Sequence, residues 1–131
     1  MATGHDGPRR IRLSRKRGWR KPEGAIVVSR PSKWGNPFPV GKRMPPEYGG
    51  EYVPDRATSV ALYREAFEAF TEGTPYPRGA NPLSAHWTPE SFTAALTTDL
   101  RGHDLACWCP LPAPGEPDLC HAATLLTHAN P

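Results

Sequence analysis

Four residues near the end of the chain can do chemistry together: Cys107, Cys109, Cys120 and His121. On a strand, Cys107 and Cys109 project to one face and Trp108 to the other. Cys120 and His121 stand where a last helix begins. Three thiolates and one imidazole would complete a tetrahedral Cys3His zinc site, although the spacing is not that of a standard finger or ribbon. A second reading is nucleophilic: Cys120 at a helix N-terminus would be activated as a thiolate, with His121, His103 or His86 as base. A third reading makes the cysteines small core residues and His121 a buried polar group. Spacing alone leaves the three open.

A second group lies at Arg30-Pro31-Ser32-Lys33-Trp34-Gly35-Asn36-Pro37-Phe38. Arg30 and Lys33 can neutralise phosphate or carboxylate. Ser32 and the Gly35 and Asn36 amides are candidate donors, and successive amides in a turn can form an anion-binding nest. Trp34 offers a face on which a base could stack. Asn36 could read a base edge or a sugar hydroxyl. The plainer alternative is a structural loop pinned by Trp34 and Phe38.

Both groups need a frame. Ala25 to Arg30 is nearly continuously apolar, as a strand buried on both faces would be. Asp104 to Cys109 reads the same way, and Ile11 to Leu13 is a weaker first strand. Val60, Tyr63, Phe67 and Phe70 recur at helical spacing and predict a helix over 57–71, capped by Asp55 or Thr58 and ended by Gly73. Thr88-Pro89 opens a second helix over 89–100, and a third covers 120–129. Pro31 to Pro54 and Pro110 to Asp118 read as long loops between these elements. The fold class expected is α/β: a small single-domain sheet covered by helices, compact and Rossmann-like, over residues 11–131, with a flexible basic tail over 1–10. Ligands in such sheets gather at the carboxyl ends of strands, which is where both groups fall.

The totals narrow the setting. The chain has 131 residues, enough for one modest core, and no apolar run near the ~20 residues that span a bilayer. Its first residues are polar and basic, unlike a signal peptide, and three cysteines cannot all pair within one chain. A cytoplasmic setting with reduced thiols is expected. The net charge is +3, yet Arg9, Arg10, Arg12, Arg15, Lys16, Arg17, Arg20 and Lys21 supply half of the 16 cationic residues. Such a block implies an anionic partner, a phosphorylated small molecule or a nucleic acid.

Taken together, RPSKWGNPF after an apolar strand, YREAF in a helix, LRGHDLACWCPL and CHAATLL resemble the DUF4326 domain, a small domain common in phages and actinobacteria. The likeness runs from about Arg10 to the end. It implies that Arg30, Pro31, Trp34, Gly35, Asn36, Pro37, Phe38, Cys107, Trp108, Cys109, Cys120 and His121 occupy the family's signature positions, without naming a reaction. Two departures stand out: the connection from Pro110 to Leu119 is long, and Ala123 stands where an acidic residue often follows Cys-His-Ala.

The function expected is an enzyme acting on a nucleotide, nucleoside or nucleic-acid base by glycosidic or phosphoryl bond cleavage or transfer. Arg30, Ser32, Lys33, Trp34, Gly35 and Asn36 would bind the ligand, and Cys120, His121 and Cys109 would act on it. No dinucleotide glycine fingerprint points to redox chemistry. The alternative is a non-enzymatic nucleic-acid-binding or interaction module with a structural Cys3His zinc site.

Overall fold

Three short strands form one parallel sheet in the order β1-β3-β2. They are β1 (Arg10–Arg12), β2 (Ile26–Val27) and β3 (Leu105–Cys107). The middle strand, β3, is buried along its whole length, and β2 forms an edge with Val27 37% exposed. That is the burial expected when a parallel sheet places its most apolar run centrally. The computed structural model describes residues 7–131. They gather into two compact units, one of residues up to Gly35 with Leu96–Pro131, the other of Asn36–Ala95. The architecture is therefore mixed α/β, with a sheet sparser than the sequence suggests. Of the tail expected over 1–10, residues 1–6 lie outside the described residues, and Arg10 already opens β1.

The first unit holds the sheet. Both flanking strands are shorter or shifted relative to the sequence pattern, for backbone reasons. After Val28 donates to the Ala106 carbonyl, the chain turns, with the Ser32 amide bonded to the Ser29 carbonyl. Pro31 has no N–H with which to extend the ladder, so β2 does not run on to Arg30. β3 stops at Cys107 rather than Cys109, because the Cys109 and Pro110 carbonyls are taken by the Arg10 guanidinium (Nη1–O 3.0 Å and Nη2–O 2.5 Å). The last helix, α3 (His121–Ala129), packs on β3, on β1 and on a wide π turn at Leu96–Leu100. Ala122, Leu125 and Ala129 give it a buried stripe at helical spacing. A regular α-helix to Leu100 was expected. Instead the Arg101 amide bonds the Leu96 carbonyl, five residues back. The end of α3 holds that turn, since Arg101 Nε donates to the Ala129 carbonyl and the Gly102 amide to Asn130 Oδ1.

The second unit is built on α1 (Arg56–Glu72) and α2 (Pro89–Ala95). Asp55 caps α1 by accepting from the Thr58 amide at 2.8 Å, and Gly73 ends it in the left-handed region at φ 73°. The expected stripe of Val60, Tyr63, Phe67 and Phe70 is buried. Phe92 of α2 meets Phe67 and Phe70 edge-on, with ring centroids 5.3 and 5.6 Å apart. Part of the Pro31 to Pro54 stretch is ordered here. Met44 bonds Glu51 and Gly41 bonds Val53 across a short antiparallel excursion, with a 3₁₀ turn at Pro46–Tyr48.

Candidate metal-thiolate centre

The sulfurs of Cys107, Cys109 and Cys120 lie within 4.8 Å of one another. Cys107 arrives from the end of β3, and Cys109 from the turn that follows it. Cys120 caps α3 with extended backbone (φ −145°, ψ 139°) and makes no side-chain cap bond, so its sulfur is free to face the other two. Thiols accept weakly, and serine or aspartate at this position would be expected to turn back on the helix amides. Cys107 and Cys120 are buried, Cys109 is half-buried, and all three are free thiols.

Crowding three thiols polarises them. Cys107 lies 4.0 Å from Cys109 and donates to it. Cys109 is held well below the ordinary thiol range, first by bonds from Cys107 and Cys120, then by the nearby charge of Arg10. Cys107 and Cys120 are pushed up for the complementary reason, with burial adding to the effect. These directions favour Cys109 as the thiolate, with the neighbouring thiols as its donors.

Arg10 frames this arrangement. Its side chain is 4% exposed; Nε pairs with Asp118 Oδ2 at 2.5 Å while the other nitrogens hold the Cys109 and Pro110 carbonyls. One guanidinium therefore ties β1, the turn carrying Cys109 and the segment leading to Cys120. Burial works against its charge, but the Asp118 bond and the neighbouring Cys120 and Cys109 outweigh it, and its pKa is raised. Arg10 was expected in a flexible basic tail, within a block that meets an anionic partner; its carboxylate partner instead lies 108 residues away in the same chain.

His121, the fourth member of the expected Cys3His set, stands beside the three sulfurs and is not grouped with them among the described residues. Its Nε2 donates to the Val28 carbonyl at 2.8 Å, and its Nδ1 faces Cys120 Sγ at 3.9 Å. The metal-competent set is the three cysteines. Burial drives the His121 pKa down, against the backbone of Val28 and Trp34 and the charge of Cys109, so the ring is neutral at pH 7. His121 instead joins the two sequence groups, carrying the β2 exit on one nitrogen and the thiol cluster on the other.

Several members of the loop group are engaged within the chain. Trp34 is buried at 5% exposure, so it gives no open stacking face. The Gly35 amide, expected in an anion nest, donates to the Ser32 carbonyl, and Ser32 Oγ accepts from the Trp34 amide. Arg30 and Lys33 are exposed. In the second unit, Asn36 is committed at both ends of its amide, to Ser59 Oγ and to the Phe38 N–H. His103 donates to the Gly24 carbonyl, Asp104 accepts from the Arg9 amide, and His86 lies in the second unit. None of the three belongs to the thiol group.

Gly35 is required by close approach. A Cβ there would stand 2.6 Å from Arg30 Cγ and 3.0 Å from the Arg30 Cα and N. Backbone atoms cannot yield as a side-chain tip would. Gly35→Ala is expected to destabilise the protein by about 1–3 kcal/mol in urea denaturation; an unchanged midpoint would show that the loop relaxes freely.

The model of the family described as "Domain of unknown function (DUF4326)" matches residues 11–131. The chain belongs to the DUF4326 family. No curated protein and no solved structure matches it significantly. In this DUF4326 chain the matched span holds the thiol cluster, His121 and the Arg30–Phe38 loop, while Arg10 lies one residue before it. No described helix is long and apolar enough to cross a membrane.

Proposed function

We propose that this DUF4326 domain binds one zinc ion through Cys107, Cys109 and Cys120, and that the metal staples β3, the Pro110–Leu119 connection and α3 into one scaffold. The observation that carries the reading is the approach of three sulfurs to within 4.8 Å. In a tetrahedral site with zinc–sulfur bonds of about 2.3 Å, sulfurs stand about 3.8 Å apart, and the Cys107–Cys109 spacing of 4.0 Å is close to that. Soft thiolates favour zinc over hard cations. The fourth position falls to water, another small ligand or His121 Nδ1, whose opposite nitrogen is held by the Val28 carbonyl. Reduced thiols fit a cytoplasmic setting. The parallel sheet is read as a minimal Rossmann-like arrangement, with both sequence groups leaving the carboxyl ends of strands.

A second reading, an enzyme acting on nucleotides, nucleosides or nucleic-acid bases, draws on a different feature. Cys109 is the most exposed of the three thiols and the one favoured as thiolate, with a fixed guanidinium beside it. In that reading Cys109 is the nucleophile, and the exposed Arg30 and Lys33 meet the phosphate.

Elemental analysis separates the two. Protein purified under reductant without a metal-affinity tag should carry about one zinc per chain, and Cys120→Ser should lose it. Absence of zinc even after loading and gel filtration would sink the metal reading. Selective alkylation of Cys109 would then favour the nucleophile.

A further inference from the structure

On the first unit, Arg12, Leu13, Ser14, Arg15 and Trp108 line a cleft of about 400 Å³. Trp108 is 41% exposed, unusual for so large an aromatic ring. The Arg15 guanidinium lies over its ring, 4.4 Å from the centroid. Trp108 is the first residue after β3, outside the buried strand that ends at Cys107. The cleft therefore lies apart from the thiol group, on residues that the metal reading does not use.

The surroundings indicate what would occupy it. Arg9, Arg12, Arg15, Lys16, Arg17 and Arg20 are all exposed. Among the described residues, Arg10 is the one cation of this arm that takes part in an ion pair. Arg10 aside, the arm is thus a row of cations with no acidic partner among the described residues, leading to an aromatic ring that already holds a guanidinium. A mononucleotide would engage only one or two of those cations. A duplex would keep its base faces stacked and hidden from the ring.

We propose that this surface binds single-stranded nucleic acid, with one base stacked at Trp108 in the cleft and successive phosphates along Arg12, Arg15 and the rest of the arm. Aromatic stacking gives sequence-tolerant affinity, and the cations give a steep salt dependence.

The test uses the protein as purified and fluorescence anisotropy with a labelled oligothymidine of about 12 nucleotides. An abasic strand of equal length, the corresponding duplex and AMP are the comparison ligands. The oligothymidine should bind more tightly than all three. Trp108→Ala should weaken it by roughly 5- to 100-fold and leave abasic binding unchanged. Arg12→Gln and Arg15→Gln, exposed positions that should not disturb folding, should each lower the slope of log affinity against log salt by about 0.7. Trp108→Phe, which keeps a stacking face, should retain most of the affinity and covers the case in which the alanine variant misfolds. Equal binding of the thymidine and abasic strands would overturn the proposal. So would a preference for duplex, an AMP affinity equal to that of the strand, or salt slopes unmoved by both arginine variants.

Discussion

Arg10→Ala is expected to cost about 3 kcal/mol of stability, measured as a fall in the urea midpoint at constant slope. The residue looks like one of eight cations in a basic arm, and a surface cation would be worth a few tenths. Its geometry says otherwise. The guanidinium satisfies three acceptors at once: the Asp118 carboxylate and the carbonyls of Cys109 and Pro110. Truncation strands a partly buried carboxylate that already has one unpartnered oxygen, Oδ1, and strips two carbonyls of their donor. Asp118 is 19% exposed, so water offsets part of the loss and the cost falls at the low end of the range for buried pairs. Arg10→Lys should recover little, because one ammonium cannot reach three acceptors in a plane. The pair Arg10→Met with Asp118→Leu should restore much of the stability without restoring the turn at Cys109. Stability and metal content would then separate. Full zinc binding in that double variant would show that Arg10 does not position the thiols.

What the sequence disclosed was set by local rules. α1 was legible because a cap, a stripe at helical spacing and a terminal glycine all agree. β3 was legible as a buried run. The cysteine group was legible as a set of donors, but what its fourth member holds was not. His121 holds the Val28 carbonyl, 93 residues away, on one nitrogen and faces Cys120 Sγ with the other. The two tryptophans show the same limit. Trp34 and Trp108 each stand near cations, yet one is 5% and the other 41% exposed. Composition favoured Trp34 as the stacking face; the exposure of Trp108 follows from β3 ending at Cys107, short of the strand through Cys109 that the sequence suggests. β2 fell short because Pro31 ends the ladder, a cue present in the sequence but outweighed by the apolar run. The role of Arg10 had no local signal at all.

Metal-linked stability is the second large effect expected. Zinc that binds the folded chain stabilises it in proportion to the logarithm of the ratio of free zinc to the dissociation constant, about 4 kcal/mol when that ratio is about a thousand. Thermal unfolding should therefore shift upward with added zinc and downward with chelator, and Cys120→Ser should not respond to either. The charge state of the cluster adds a second readout. With the Cys109 pKa lowered and those of Cys107 and Cys120 raised, the metal-free protein is expected to carry its charge on Cys109 and to keep the other two thiols protonated. Coordination by three thiolates must expel those two protons, so zinc binding near neutral pH should release about two protons per chain. Calorimetry in buffers of different ionisation enthalpy measures that number. Affinity must then fall as pH falls, because protons compete for the same sulfurs. Release of about three protons would mean that the thiols titrate independently and that the close packing of the sulfurs does not polarise them. A pH-independent affinity would place the metal on other ligands and leave the three thiols as core residues.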